Sequence, residues 1–186
     1  IRILSILGAD VNIPKNNGNT PVYIAAQYGH ANVIKALSVA WANVNTPNSN
    51  CITPVFVASQ YGHLGAVKTL SDLGADVNVQ KADGATPVFI AAQYGHVDII
   101  RALVISHANV NIPQHDGLSP VYIAAQNGHV GAIKALIAAK ANVNTPEKDG
   151  ASPVYIAAQN GHVGAIKILS SSGADINTPE KDGATP

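Results

Sequence analysis

The side chains of this 186-residue chain that could do chemistry recur in ladders. Five histidines follow glycine at one fixed step, in Gly29-His30, Gly62-His63, Gly95-His96, Gly128-His129 and Gly161-His162. Histidines at regular spacing invite a metal, and geometry rejects it. Packed helical units sit about 10 Å apart, whereas the ligands of one zinc must all lie about 2 Å from the ion. His107 and His115 break the ladder and read as exposed. A single cysteine, Cys51, leaves no intrachain disulfide framework and no cysteine-based zinc site. No nucleophile elbow, Walker loop, dinucleotide fingerprint or zinc-helix motif occurs. The acids Asp83, Asp116 and Asp149 stand beside glycines, where they form turns. The chain is therefore expected to be no enzyme and to carry no cofactor or metal.

Two other ladders look outward. Gln27, Gln60, Gln93, Gln126 and Gln159 are followed directly by Tyr28, Tyr61, Tyr94, Asn127 and Asn160. Tyrosine is favoured at binding hot spots, and three in register would form an aromatic strip about 20 Å long. Arg2, Lys35, Lys68, Arg101, Lys134 and Lys167 form a basic row on the outer face, one residue per unit. Its spacing exceeds the phosphate step along a DNA strand and no aromatics interleave with it, so a solvated helix face is the better reading than nucleic-acid binding. Asp98, three residues before Arg101, supports that reading as a local pair. Binding of an anionic partner by this row stays open as an alternative.

These ladders need elements that repeat. Thr20-Pro21, Thr53-Pro54, Thr86-Pro87, Ser119-Pro120, Ser152-Pro153 and Thr185-Pro186 mark a period of 33 residues without an insertion. A hydroxyl residue before proline is a helix start. Its oxygen accepts from an orphan amide, and proline at the first helical position loses no hydrogen bond. A short helix such as residues 22–28 then ends at glycine, and a second, over about residues 30–39, spaces Val33, Ile34 and Leu37 on one face. Small pairs such as Ala25-Ala26 and Ala91-Ala92 let helices approach closely. Gly8, Gly74 and Gly173 suit left-handed caps, and the segment that follows suits a hairpin finger. One unit cannot fold alone. Its few apolar side chains supply on the order of 10 kcal/mol, against an ordering cost several times larger. Stacking resolves this, because each helix pair becomes its neighbour's core.

Composition fits a stack. The chain is 47% hydrophobic but only 12% charged, because much of each unit's surface faces another unit. Eleven basic against eleven acidic residues give no global pull toward nucleic acid or acidic lipid. No apolar run approaches the roughly 20 residues that cross a bilayer. Neither a secretory signal nor an Asn-x-Ser/Thr acceptor occurs, so a reducing compartment, the cytoplasm, is expected. Neither end carries a polar cap, so the chain is expected to be a slice of a longer array without its neighbouring repeats; it is also expected to be monomeric.

At TPVYIAAQYGH from Thr20 and GADVN from Gly74 the chain resembles an ankyrin-repeat protein. The resemblance covers essentially all of it. It implies an all-α solenoid, a stack of helix-turn-helix units joined by β-hairpin fingers. The expected division is a partial repeat over residues 1–14, full repeats over 15–47, 48–80, 81–113, 114–146 and 147–179, and a partial repeat over 180–186.

Three departures from the family pattern stand out. Its usual histidine near the first helix start is replaced by Tyr23, Phe56, Phe89, Tyr122 and Tyr155, an aromatic ladder expected to pack between units. Its cap glycine becomes Trp41, His107 and Lys140. Cys51 takes the place held in other fingers by Gly18, Gly84, Gly117 and Gly150.

The resemblance further implies that the Gly-His histidines bond to backbone near the finger of an adjacent unit. It places the Gln and Tyr/Asn ladder on a concave groove that contacts protein partners together with the finger tips. Tip candidates are Asn17, Asn19, Asn50, Ile52, Asp83, His115, Asp116 and Leu118. Ankyrin repeats are also substrates of asparaginyl hydroxylase, for which Asn12, Asn78 and Asn177 are loose matches. The expected function is noncatalytic protein binding. Nearly identical fourth and fifth units keep a second class alive, a spacer with no ligand of its own.

Overall fold

A computed structural model describes residues 10–177 of the chain. Among these residues ten helices alternate between seven and nine residues in length. The first helices of the units are α1 (Pro21–Gln27), α3 (Pro54–Gln60), α5 (Pro87–Gln93), α7 (Pro120–Gln126) and α9 (Pro153–Gln159). The second helices are α2 (Ala31–Val39), α4 (Leu64–Asp72), α6 (Val97–Ile105), α8 (Val130–Ala138) and α10 (Val163–Ser171). Arg2, Gly8, Thr185 and Pro186 lie outside the described residues, as does the partial repeat over 180–186.

Each first helix starts as its Thr/Ser-Pro pair predicts. The side-chain oxygens of Thr20, Thr53, Thr86, Ser119 and Ser152 accept from the amides of Tyr23, Phe56, Phe89, Tyr122 and Tyr155 at 3.1–3.4 Å. All five hydroxyl residues are buried, so the bond satisfies donor and acceptor where water does not compete. First helices pack on first helices and second on second, and each first helix also packs on its own second helix. The result is two layers with one continuous core. Ala25, Ala26, Ala58, Ala91, Ala92, Ala124, Ala125 and Ala157 keep the first layer tight. Ile34, Val67, Leu70, Ile100, Leu103, Ile133, Leu136 and Leu169 fill the space under the second. The aromatic ladder belongs to this core: Tyr23, Phe56, Phe89 and Tyr122 are buried and Tyr155 half-buried.

After the second helices the chain turns through a left-handed residue. Gly74 and Gly173 take it at no steric cost, and Trp41, His107 and Lys140 take it at φ +64°, +65° and +64°. For a residue with a Cβ that conformation costs about 1 kcal/mol.

The units are clamped across this turn by asparagine. Asn45 accepts from the Asp76 amide at 2.9 Å and donates to the Gly74 carbonyl at 3.2 Å, so both ends of its amide hold the next unit. Asn12, Asn78, Asn111 and Asn144 make the same pair of bonds one unit further along.

The fingers are hairpin-like turns, and no β-strand forms among the described residues. In the third finger, Lys81 N–H donates to Ala85 O and Gly84 N–H to Lys81 O, each at 2.8 Å. Neighbouring fingers join through Ser49 N–H to Asn17 O, His115 N–H to Asp83 O and Lys148 N–H to Asp116 O, at 2.9–3.1 Å. No such bond joins Asn50 to Ala82 among the described residues. That joint follows Cys51, which sits at φ +59°. A Cβ built on Gly18, Gly84 or Gly117 would fall 2.6–3.1 Å from the next finger's backbone. Cys51 carries the atom that this close approach excludes.

Candidate functional site

The glutamine ladder stands at the last residue of each first helix. Gln27, Gln60, Gln93 and Gln126 are half-buried and Gln159 is exposed. Tyr28, Tyr61 and Tyr94 follow as cap residues and remain 62%, 53% and 50% exposed. Each phenol ring lies beside a histidine two residues on: Tyr28 on His30, Tyr61 on His63 and Tyr94 on His96, with centroids 6.0–6.3 Å apart.

The histidines explain why the strip is held in place. His63 Nε2 lies 3.0 Å from Gln27 O, and His96, His129 and His162 repeat the bond to Gln60, Gln93 and Gln126. A carbonyl oxygen can only accept, so these imidazoles carry their proton on Nε2 and donate. The partner is the end of the preceding unit's first helix. The expectation of a bond near the finger is corrected accordingly. The glycine between tyrosine and histidine must lack a side chain, because Gly29 has φ +72° and a Cβ there would meet His63 Nδ1 at 2.7 Å.

In the last two units the aromatic ring is replaced by an amide that donates to backbone. Asn127 Nδ2 donates to Ile123 O and Asn160 Nδ2 to Gln126 O, both at 2.9 Å. The ladder is thus aromatic over its first three units and amide over its last two.

The finger residues separate into two groups. Asn17, Asn50, Asp83, His115 and Asp116 are exposed, whereas Ile52 and Leu118 are half-buried and pack against the core. Asn19 is half-buried and accepts from Asn48 Nδ2 at 3.0 Å. Asn48 organises the second finger, because its Oδ1 also accepts from the amides of Asn50 and Ile52. Asp83 meets Lys81 Nζ at 2.7 Å and accepts from Ala85 N. Burial pushes its carboxyl up, but the Lys81 hydrogen bond and charge and the Ala85 amide outweigh that and hold it below the usual carboxylate range. Asp116 meets Lys148 Nζ at 3.1 Å. Burial pushes the Tyr23 phenol up, and the charge of Tyr61 adds to the shift.

The basic residues Lys35, Lys68, Arg101, Lys134 and Lys167 are all exposed, and Arg101 reaches Asp98 only at 3.8 Å. Among the described residues no group of three His, Cys, Asp or Glu side chains converges as a metal site would require. No described helix is long and apolar enough to cross a membrane. An apolar cavity of about 600 Å³ is lined by Pro21, Ile24, Val33 and Leu37 among others. It is a stacking surface, since Pro54, Pro87, Val57 and Ile90, the counterparts of Pro21 and Ile24 in later units, are buried.

Two features were not legible as function in the residue pattern. The asparagine clamp was visible only as a period, although its constancy at Asn12, Asn45, Asn78, Asn111 and Asn144 was the available signal. Val104 and Ile105 depart from the repeat, the first at a half-buried and the second at an exposed position, and that departure is visible in the sequence alone.

A comparison with curated proteins returned no match. A family model described as ankyrin repeats (3 copies) matches residues 1–81, 40–114 and 88–180. With its stacked helix pairs and 33-residue step, the chain belongs to the ankyrin-repeat family, whose repeats are generally protein–protein interaction modules and typically noncatalytic.

Proposed function

We propose that this chain binds a protein segment along the face formed by Gln27, Tyr28, Gln60, Tyr61, Gln93 and Tyr94 and the neighbouring finger tips. The observation that carries the reading is the bracing of exposed rings. Tyr61 lies against His63, and His63 is bonded to the unit before it. A pre-positioned aromatic loses little side-chain freedom when a partner covers it, so most of its buried area becomes affinity. The finger tips add Asn17, Asn50, Asp83, His115 and Asp116 as polar contacts. In the fourth and fifth units Gln126, Asn127, Gln159 and Asn160 contribute less, because both asparagine amides already donate to backbone.

The test is affinity capture on the immobilised chain, followed by the same capture on a variant with Tyr28, Tyr61 and Tyr94 changed to alanine. Proteins retained by the first and lost from the second support the strip. Equal retention by both removes it. The spacer reading has one observation in its favour, the identity of residues 120–134 and 153–167, and it predicts that neither bait retains anything specifically. On either reading the chain works in the reducing cytoplasm as a monomer with no cofactor.

A further inference from the structure

We propose a second docking site, on the exposed face of the second-helix layer, that takes an acidic peptide segment carrying one branched aliphatic side chain. Between α6 and α8 lies a depression of about 370 Å³. Its walls are Val104 and Ile105 on one side and Ala135, Ala138 and Ala139 on the other, with Arg101 and Lys134 along the rim. Ile105 is 78% exposed, more than any other large aliphatic side chain among the described residues.

Repetition does not account for this patch. The counterparts of Ile105 in the other units are Val39, Asp72, Ala138 and Ser171, and those of Val104 are Ser38, Ser71, Ile137 and Ser170. Only here does a helix with an exposed isoleucine beside a half-buried valine stand before one whose facing residues are alanines. The alanines leave room for one side chain of leucine size, and the aliphatic pair supplies its contacts.

Charge selects what carries that side chain. Lys134 has no carboxylate within ion-pair distance among the described residues, and Arg101 has only the 3.8 Å approach of Asp98. Helix α8 contains no acidic residue, and Asp98 is the one acid of α6. An apolar depression with two under-used cations at its rim complements an aliphatic side chain flanked by carboxylates. Continuous phosphate chains and lipid surfaces would use the cations but leave the depression unfilled. This site is separate from the tyrosine strip and does not depend on it.

The probe is a short synthetic fluorescent peptide with one leucine between aspartates, titrated into the full chain at low salt and followed by anisotropy. Saturable binding is expected. It should fall about tenfold or more when Ile105→Ser removes the aliphatic wall, and comparably when Lys134→Glu reverses the rim charge. Exchanging the probe's leucine for serine, or its aspartates for asparagine, should have the same effect. Tyr61→Ala should leave the affinity unchanged. Three results would overturn the proposal: no saturable binding, equal affinity for Ile105→Ser, or binding of phosphatidylserine vesicles or a single-stranded oligonucleotide in preference to the peptide. Ile105 and Lys134 are both exposed, so neither change disturbs the core.

Discussion

His63 donates from Nε2 to the carbonyl of Gln27 at 3.0 Å, so the side chain that supports Tyr61 is anchored in the unit before its own. Architecture and candidate function meet in this bond. The stack does more than bury apolar surface, because it also sets the position of the ring most central to the proposed strip. Changing His63→Ala leaves the Gln27 carbonyl without its donor and Tyr61 without its backing ring. A loss of about 1–2 kcal/mol in urea unfolding is expected. An unchanged midpoint would show that the bond contributes nothing.

Two glycines give a paired test of the same joint. Gly95 has φ +70°, and a Cβ there would lie 2.9 Å from the ring of His129, whereas Gly74 has φ +82° with nothing within 4 Å. Both alanine variants bear the left-handed cost of about 1 kcal/mol. Gly95→Ala must also displace a ring held by Gln93, so it should be the more destabilising by a further ~1–2 kcal/mol. Thermal unfolding of the two variants side by side decides this, and equal losses would contradict it.

Three positions should reward the opposite change. Trp41 and Cys51 occupy left-handed backbone at φ +64° and +59°, and Trp41 is 90% exposed, so little packing would be lost with its side chain. Trp41→Gly and Cys51→Gly, with His107→Gly as a third, should each raise stability by about 1 kcal/mol. Cys51→Gly should in addition slow hydrogen exchange at the Ala82 amide, by letting the third finger close onto the second.

The acid side of the pH profile has a specific contributor in Asp83. Its carboxyl is held below the usual range in the folded chain, so its contribution is present above the unfolded aspartate pKa and is lost as pH falls through the folded one. Carboxylate NMR should show Asp83 titrating below the usual aspartate range. Lys81→Ala should move the Asp83 titration upward. No movement would mean that Lys81 does not hold it.

Much of this molecule was legible in its residues because a repeat multiplies weak local signals. Thr20-Pro21 alone says little, but six such pairs at one period locate the start of every described first helix to within one residue. The left-handed caps were readable at Trp41, His107 and Lys140 only because Gly74 and Gly173 mark the same step. Periodicity gives distance along the chain, however, and does not name the atom met across it. It could not reveal that His63 meets Gln27 O rather than a finger, or that Asn127 and Asn160 tie their amides to backbone carbonyls. Ile52 and Leu118 looked like tip residues by position, yet an apolar side chain beside a core goes into it.

The account is tested most directly by the affinity of a captured protein for two single variants, Tyr61→Ala and Lys68→Ala, measured by titration calorimetry at physiological salt. A hot-spot aromatic on the contact face should cost about tenfold or more in Kd, and a solvated lysine on the opposite layer less than about twofold. The reverse order, with Lys68→Ala the more damaging, would contradict the tyrosine strip and move the binding surface to the second-helix layer.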